Sequence, residues 1–254
     1  MTRLICISDV HGHLKELNCL LEKIELRPDD RLVFLGDLVD RGPDSLGVVR
    51  RVRELLAQYP ESTALLGNHE SSVRQWLVRP NKPGRPEWLV GVDPEEVNWL
   101  TELPVYTRDV ARNLFMVHGG LYPRYFQNYP AVPAEWDEVK TLSKKHQERI
   151  RRFKITRYCN PDGNVVQLGE EKPEDYFWAD RYDGSEGYVV FGHEPFNDAP
   201  RYFPHALGLD SNFAVLAAIW DQEATPTIFK VPHFVLGTAI NYVLAALAPV
   251  SFTV

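Results

Sequence analysis

Six side chains in this sequence are of the types that bind first-row transition metals, and each closely follows a short apolar run. They are three imidazoles, two carboxylates and one amide: His11, His118, His193, Asp9, Asp37 and Asn68. A mixed nitrogen and oxygen set without a thiolate favours manganese, iron or zinc over calcium or magnesium. Six ligands are too many for one ion that keeps a position open for water, so they indicate two ions that share a carboxylate.

The residues beside these ligands are suited to phosphate chemistry. Arg41 carries a fixed, forked positive charge that can hold two phosphate oxygens. His69 can donate a proton to a leaving oxygen, and Asp40 can orient and charge that histidine. Two metal ions about 3.5–4 Å apart can bind a phosphoryl group and ionise a water molecule for in-line attack. The set therefore predicts hydrolysis of a phosphate ester or anhydride.

Each feature alone has an ordinary structural explanation. A lone histidine at a strand end is usually a structural residue, a lone Gly-Asp is a turn, and Arg41 alone would form a surface ion pair. These explanations do not account for five motifs in one order: Asp-x-His, Gly-Asp-x-x-Asp-Arg-Gly, Gly-Asn-His-Glu, His-Gly-Gly and Gly-His. The joint pattern therefore favours a catalytic metal centre.

Five short apolar runs precede these motifs and must position them. They span residues 4–7, 32–35, 63–66, 114–117 and 188–191. Continuous apolar runs bounded by glycine are typical of strands buried on both faces. Strands alternate with amphipathic segments through the first half of the chain, which predicts an α/β sheet with helices on its faces. Ligands of such sheets bind beyond the carboxyl ends of the strands, where all five motifs lie.

Amphipathic periodicity also predicts the helices. They are expected over residues 13–24, 45–58, 73–78 and 94–100. Ser45 is expected to be the N-cap of the second helix. Three closing strands are predicted at residues 206–209, 214–219 and 227–231.

Two further segments differ in composition from this pattern. Residues 121–187 are rich in proline, aromatic and charged side chains, and we interpret them as a cap insertion over the site, with one helix over 134–153. Residues 80–86 predict a second loop. The domain is expected to span residues 1–233. The apolar tail, 234–254, is expected to dock on the domain or on a partner subunit, in preference to a membrane, because it lacks basic flanks.

The composition restricts the partners and the compartment. The chain has 254 residues and a net charge of -7, which does not suggest a protein that binds a nucleic acid duplex. An acidic protein that acts on phosphate needs local positive charge, and bound metals would supply it. Cys6, Cys19 and Cys159 match neither a metal motif nor a disulfide framework. The N-terminus has no signal-peptide pattern, so the cytoplasm is the expected location.

The five motifs resemble those of the phosphoprotein phosphatase branch of the calcineurin-like metallophosphoesterases. They lie at residues 9–12, 36–42, 67–70, 118–120 and 192–193. The resemblance implies a β-sandwich flanked by helices and a dinuclear site of manganese, iron or zinc, among which we favour manganese. It assigns one ion to Asp9, His11 and Asp37, and the other to Asp37, Asn68, His118 and His193. It also implies that Arg41 binds phosphate and that His69 and Asp40 form the acid pair.

That family has a further phosphate-binding arginine between the His-Gly-Gly and Gly-His motifs. Arg157 is the candidate here, with Arg149, Arg151 and Arg152 as alternatives. The first motif departs from the family in carrying Ser8 where glycine is usual, and we expect no loss of metal binding from this small side chain. Residues 207–212 resemble the family's strand after the final histidine but lack its usual Gly-Gly pair. The resemblance therefore assigns no role to the rim of the site near Asp210.

The insertion looks most like that of the bacterial bis(5'-nucleosyl)-tetraphosphatase-like members, which favours a dinucleoside polyphosphate as the substrate. A basic run could bind a polyphosphate chain: Lys144, Lys145, Arg149, Arg151, Arg152, Lys154 and Arg157. Four aromatic residues could stack on bases: Tyr158, Phe177, Trp178 and Tyr182. The structural alternatives are a solvated helix face for the basic run and packing of the cap for the aromatic residues.

Two other functions are compatible with the same motifs. A serine/threonine protein phosphatase acting on phosphoproteins is the main alternative, and it predicts an open groove for a phosphorylated loop. An inactive phosphate-binding scaffold is less favoured, because such proteins usually lose a ligand or the acid and this sequence retains all of them.

Overall fold

The computed structural model describes residues 2–79, 83–129, 131–212, 214–221 and 225–233. The strands in chain order are β1 (Leu4–Ile7), β2 (Arg31–Phe34), β3 (Thr63–Ala64), β4 (Tyr106–Asp109), β5 (Leu114–Val117), β6 (Tyr158–Cys159), β7 (Tyr176–Phe177), β8 (Tyr188–Phe191), β9 (Arg201–Phe203), β10 (Ala206–Gly208), β11 (Ala214–Trp220) and β12 (Thr227–Pro232). The α-helices are α1 (Leu14–Ile24), α2 (Ser45–Gln58), α3 (Asn68–Val78), α4 (Pro94–Thr101), α5 (Pro123–Phe126), α6 (Trp136–Val139) and α7 (Lys144–Arg151). Short 3-10 helices span Glu87–Leu89, Arg152–Ile155 and Trp178–Asp180.

The strands form two five-stranded sheets, with the orders β12-β11-β1-β2-β3 and β4-β5-β8-β10-β9. The motif-bearing strands are parallel within each sheet: β1, β2 and β3 in the first, and β5 and β8 in the second. Antiparallel strands β11 and β12 extend the first sheet, and β4 and β9 form the edges of the second. Parallel pairing places the motifs at the same ends of their strands, which is the arrangement expected from the sequence.

The two sheets pack against each other as a sandwich. Alternate strand residues build an apolar layer that both sheets share, among them Leu4, Cys6, Val33, Met116 and Val190. The intervening residues, such as Ile5 and Phe34, belong to a second core that includes the helices. Strand side chains point alternately to the two faces, so a strand with both faces covered must be apolar throughout. The predicted β-sandwich flanked by helices is confirmed, with two mixed sheets where the alternation pattern alone suggested one.

Most element boundaries lie close to the predicted ones. Helix α2 has the predicted bounds, but its N-cap is Asp44, whose Oδ1 accepts from the backbone N–H of Gly47 at 2.8 Å. Ser45 was the wrong cap, because its Oγ accepts instead from the N–H of Asp40 at 2.9 Å. Helix α3 begins at Asn68, within the third motif and five residues before the predicted start at Val73.

The predicted helix over residues 134–153 is wrong. The segment forms α6, then α7, then the 3-10 helix Arg152–Ile155. Ser143 interrupts it, because its Oγ caps α7 by accepting from the N–H of His146 at 3.3 Å. Strands β4 and β9 and the β6–β7 hairpin were not predicted, since they are short, or lie at sheet edges and carry charged or exposed side chains.

The segment 121–187 packs against the fourth motif. The N–H of Gly120 donates to the carbonyl of Phe153 at 2.7 Å, and a Cβ on Gly120 would collide with the indole of Trp178. The limits of the cap and of the domain 1–233 stay predictions. The apolar tail, residues 234–254, lies outside the described residues, as does part of the predicted loop 80–86. Among the described helices, none is both long and apolar enough to cross a membrane.

Candidate metal centre

Asp37 lies at the centre of a cluster of imidazoles. Its Oδ2 is 3.3 Å from Nε2 of His118, and 3.8 Å from Nε2 of both His11 and His69. Two groups of side chains are close enough to hold an ion, with their ligand atoms within 4.8 Å of one another. One group is His11, Asp37 and His69, and the other is Asp37, His118 and His193. Asp37 belongs to both, as a carboxylate shared by two ions would.

Asp9 connects the two sheets at this cluster. Its Oδ1 accepts from the backbone N–H of His193 at 3.1 Å, so the second residue after β1 binds the second residue after β8. Its Oδ2 lies 3.9 Å from Nε2 of His11. A side chain at position 192 would collide with Asp9 Oδ1, which explains the glycine there.

The backbone presents several of these side chains from a left-handed conformation. Asp37 has φ 51°, His11 has φ 46° and His193 has φ 66°, all unusual for residues with a Cβ. Such conformations cost energy and persist only where surrounding contacts hold them. Their concentration at the ends of the motif strands marks this region as a functional site.

Hydrogen bonds orient the imidazole rings. Nδ1 of His11 lies 3.0 Å from the carbonyl of Val39, and Nδ1 of His118 lies 2.9 Å from the carbonyl of Leu35. Each Nδ1 therefore donates, which leaves Nε2 as the electron-pair donor directed at the carboxylates. Nε2 of His118 also lies 3.1 Å from Oδ1 of Asn68. In His193, Nδ1 is buried and has no hydrogen-bond partner among the described residues.

The charges in the cluster compensate one another. Burial by itself would raise the pKa of Asp37, but His118, His69 and His11 hold it well below the ordinary value. Burial opposes a charge on His118, yet the carboxylates of Asp37 and Asp9 raise its pKa to about 9. The buried carboxylates therefore require positive charge close to them. Bound metal cations can supply this charge, and they replace the protons on the ligand side chains when they bind. The residues present fit a metal centre in donor type, orientation and charge.

His69 and Asp40, which the resemblance predicts to be the acid pair, are in hydrogen-bond contact. Nδ1 of His69 lies 2.8 Å from Oδ2 of Asp40. Burial disfavours both charges, but the hydrogen bond between the two residues and the opposite charges around them together outweigh it, so the pKa of His69 is raised and the pKa of Asp40 is lowered from their ordinary values. Asp40 also accepts from Nε1 of Trp88 at 2.7 Å, a contact that the sequence did not reveal.

Among the four candidate cap arginines, Arg157 is the one with a described contact to the cluster. Its Nη2 donates to the carbonyl of His193 at 2.7 Å, and its Nε lies 3.3 Å from Oε2 of Glu194. Arg149 lies over the ring of Tyr129 and Arg151 over that of Trp136, with centroid distances of 5.6 and 5.8 Å. Arg152 is exposed on the 3-10 helix, and Arg41 is exposed beside the acid pair.

Most of the predicted base-stacking faces are unavailable. Phe177 and Trp178 are buried, at 9% and 2% exposure, in an aromatic core with Phe191. The hydroxyl of Tyr182 donates to the carbonyl of Gly187 at 3.0 Å, which ties this side chain to the cap. The packing alternative therefore holds for these three residues, and the half-buried Tyr158 is the member that could still meet a ligand.

Glu70, the last residue of the third motif, supports the site in a way that the motif alone did not predict. Its carboxylate is fully buried and accepts from the backbone N–H groups of Asp37, Leu38 and Gly67 at 2.8–2.9 Å. A glutamate at the third position of a helix, after a glycine, is the sequence signal of a capping interaction.

Known proteins are similar to this chain in sequence. The model of the calcineurin-like phosphoesterase family matches residues 2–213. A symmetrical bis(5'-nucleosyl)-tetraphosphatase of Photorhabdus laumondii is 31% identical over an alignment of 225 positions, which covers 74% of this chain and 81% of the relative. The protein of the same name from Yersinia enterocolitica is 30% identical, with 74% of this chain and 76% of the relative covered.

Solved structures agree in fold. A crystal structure named provisionally as a diadenosine tetraphosphatase has a TM-score of 0.65 and 26% identity, and the match covers 92% of this chain and 94% of the other. A cold-active protein-tyrosine phosphatase of a Shewanella species has a TM-score of 0.58 at 17% identity, over 91% of this chain and 80% of the other, and shows the fold alone. The expected family and the expected hydrolysis of phosphate ester or anhydride bonds are confirmed: this chain belongs to the calcineurin-like phosphoesterase family.

Proposed function

We propose that this protein hydrolyses dinucleoside polyphosphates such as diadenosine tetraphosphate. The observation that carries the proposal is the similarity, at about 30% identity and over most of both chains, to proteins named symmetrical bis(5'-nucleosyl)-tetraphosphatase. The basic side chains of the cap support it, because Lys144, Lys145 and Arg152 are exposed and can meet a phosphate chain that extends beyond the metals.

We further propose that two metal ions occupy the cluster, with manganese as the first choice and iron or zinc as alternatives. One ion is assigned to Asp9, His11 and Asp37, and the other to Asp37, Asn68, His118 and His193. The unpartnered Nδ1 of His193 and the Nε2 atoms directed at Asp37 support this assignment. When bound, the ions would neutralise phosphoryl oxygens and acidify the attacking water.

The chain's own residues are assigned the remaining tasks. Arg41 and Arg157 bind oxygens of the substrate phosphates through their guanidinium N–H groups. His69 protonates the leaving oxygen through Nε2, while its Nδ1 proton stays in the hydrogen bond to Asp40. Burial lowers the pKa of His69, but the hydrogen bond to Asp40 and the charge of Asp37 raise it overall, which favours the protonated imidazole that acts as the proton donor.

A serine/threonine protein phosphatase is the second candidate, and one observation favours it. Three of the four aromatic side chains that could have stacked on a base are committed to packing or to internal hydrogen bonds. These three side chains therefore do not support the binding of a nucleotide base, whereas the residues assigned to phosphate hydrolysis are unaffected. The similarity to a yeast serine/threonine phosphatase, at 15% identity and a TM-score of 0.57, concerns the fold only.

Side-by-side turnover of diadenosine tetraphosphate and a phosphothreonine peptide, with manganese present, distinguishes the two functions. We expect faster turnover of the nucleotide, with the products separated by anion-exchange chromatography. Two ADP would indicate symmetrical cleavage, and AMP with ATP would indicate asymmetrical cleavage. Preference for the peptide would overturn the nucleotide proposal. The cytoplasmic location expected from the sequence stays a prediction.

A further inference from the structure

The carboxylate of Asp40 is held by two ring N–H groups, one on each oxygen. Nδ1 of His69 lies 2.8 Å from Oδ2, and Nε1 of Trp88 donates to Oδ1 at 2.7 Å. Trp88 is far from both in sequence and belongs to the 3-10 helix Glu87–Leu89, between α3 and α4. The three side chains form a continuous chain of hydrogen bonds that ends beside Asp37.

The hydrogen bond from Trp88 restricts a rotation of the Asp40 carboxylate that the hydrogen bond from His69 alone would leave free. The terminal torsion of an aspartate is soft, so a carboxylate held at one oxygen can turn about its Cβ–Cγ bond. A donor fixed at the other oxygen defines the plane of the carboxylate and hence the direction of Oδ2. An indole N–H is suited to this, because it is donor-only and uncharged and cannot exchange roles with the imidazole.

Trp88 is itself held in place by the structure around it. Its side chain is half-buried and packs against the core, and the next residue, Leu89, is 4% exposed. The carbonyl of Leu89 accepts from Nη2 of Arg85 at 3.0 Å. The donor is therefore anchored to the domain and does not depend on Asp40 for its position.

The backbone of Asp40 is fixed by other contacts. Its N–H donates to Oγ of Ser45 at 2.9 Å, and its left-handed conformation, φ 68°, belongs to the turn that ends in Gly42. Loss of the indole N–H would consequently free the side chain of Asp40 without releasing its backbone. This separates an effect on the acid pair from an effect on the fold.

We propose that Trp88 is a positioning residue for proton transfer: its N–H fixes the plane of the Asp40 carboxylate, which in turn fixes the imidazole of His69. With Nδ1 so held, Nε2 of His69 stays directed towards the cluster, 3.8 Å from Oδ2 of Asp37. This inference rests on the proposed role of His69 as the acid. It extends that role to a residue outside the five motifs.

Two complementary substitutions isolate the N–H group. Trp88→Phe keeps an aromatic ring and removes the donor. Trp88→His loses bulk but keeps a ring N–H, because Nε2 of histidine follows the same three-bond path from Cβ as Nε1 of tryptophan. Trp99→Phe is the matched control, since Trp99 is also partly buried against the core, on the neighbouring helix α4, and is not part of the acid pair.

The readout is kcat and KM for phenyl phosphate and p-nitrophenyl phosphate, whose leaving oxygens differ in their need for a proton. We expect Trp88→Phe to lower kcat about tenfold for phenyl phosphate and much less for p-nitrophenyl phosphate, with KM and metal content unchanged. Trp88→His should recover most of the loss, and Trp99→Phe should match the wild type. Equal losses on both substrates, or a Trp88→Phe enzyme that matches Trp99→Phe, would overturn the proposal.

A double-mutant cycle with His69→Ala separates this proposal from the proposed function. On whichever phosphate compound the wild type hydrolyses fastest, adding Trp88→Phe to His69→Ala should cost nothing further, because the two residues act in one chain. Additive losses would show that Trp88 acts independently of the acid and would overturn the positioning role. If diadenosine tetraphosphate is not a substrate, the proposed substrate fails while the cycle still decides the role of Trp88.

Discussion

The carboxylate of Glu70 accepts the backbone N–H of Asp37 at 2.9 Å, and Asp37 in turn accepts the N–H of His69 through Oδ1, also at 2.9 Å. A buried glutamate at the start of α3 thereby holds the turn that carries Asp37, which has a left-handed backbone conformation. The start of α3 also directs its N–H groups at Asp37, where a helix N-terminus stabilises negative charge. The positions of the candidate ligands Asp37 and Asn68 depend on this pairing between the second and third motifs.

Replacing Glu70 should destabilise the turn. Glu70→Gln keeps the shape but places an amide that donates hydrogen bonds against backbone donors, so about 1–3 kcal/mol of unfolding free energy should be lost. Urea denaturation monitored by circular dichroism measures this, with the exposed Glu61→Gln as the control. An unchanged unfolding midpoint would show that the turn is held without Glu70.

Asp37→Ala should remove both metal ions, because Asp37 belongs to both groups of potential ligands. Turnover should fall by more than about 100-fold, because loss of a metal ligand costs more than loss of a residue that only hydrogen-bonds to a ligand. Elemental analysis of purified protein counts the ions, and the exposed Asp29→Ala is the control for the loss of a carboxylate. Retention of either ion would refute the shared role of Asp37.

His69→Ala should lower kcat by about 10²–10⁴-fold while both ions are retained, as expected for a proton donor. The measurement matters because Nε2 of His69 is as close to Asp37 as Nε2 of His11, so position alone also allows a ligand role. Kinetics and elemental analysis on the same sample distinguish the two roles. Loss of one ion would make His69 a ligand.

Arg157→Ala should raise KM or lower kcat by about tenfold or more with metal content unchanged, because one charge-assisted contact to phosphate is removed. Arg124→Ala provides the matched control, because Arg124 is exposed in the same segment and donates to Gln127 through Nη1 at 2.8 Å. Steady-state kinetics with the preferred substrate are sufficient. Wild-type constants for Arg157→Ala would place the phosphate-binding arginine elsewhere.

Lys154 should make the stability of the cap depend on pH. Burial, reinforced by Arg151, lowers the pKa of Lys154 to about 8 from an ordinary value of 10.5. In the unfolded chain the amine keeps its proton up to the higher value, so the penalty of burying a charge is complete below about pH 8 and disappears as the pH rises towards 10.5.

Lys154→Met should therefore stabilise the protein by about 1–2 kcal/mol at pH 7 and by less at pH 10, as measured by urea unfolding. The exposed Lys144→Met is the control for loss of a surface amine. A stabilisation that does not change between the two pH values would show that Lys154 is charged in the folded protein at both.

Helix boundaries could be predicted where the pattern is local. The apolar stripe of α1, from Leu17 to Ile24, repeats at helical spacing, so the predicted start at residue 13 differs from the observed start by one residue. The predicted start of α3 lies five residues after the observed start, because the first turn of the helix is polar. Asn68, His69 and Glu70 are directed at the site, and such residues give no apolar signal.

The remaining differences arise from contacts between distant segments. From the sequence, Phe177 and Trp178 could equally well face a ligand or be buried, and only their packing against Phe191 shows that they are buried. The hydrogen bond between Trp88 and Asp40 joins residues 48 positions apart. No periodicity or motif encodes a contact over that separation.

The sequence by itself determined the family, the strands that carry the motifs and the set of side chains at their ends, because buried strands and metal-ligand types leave local signatures. Only the tertiary structure decided that Asp37 lies between the imidazoles, that Arg157 reaches His193, and that Glu70 and Trp88 hydrogen-bond to Asp37 and Asp40. These relationships depend on how two sheets and the insertion pack. Packing is a collective property of the whole chain, and therefore no single segment specifies it.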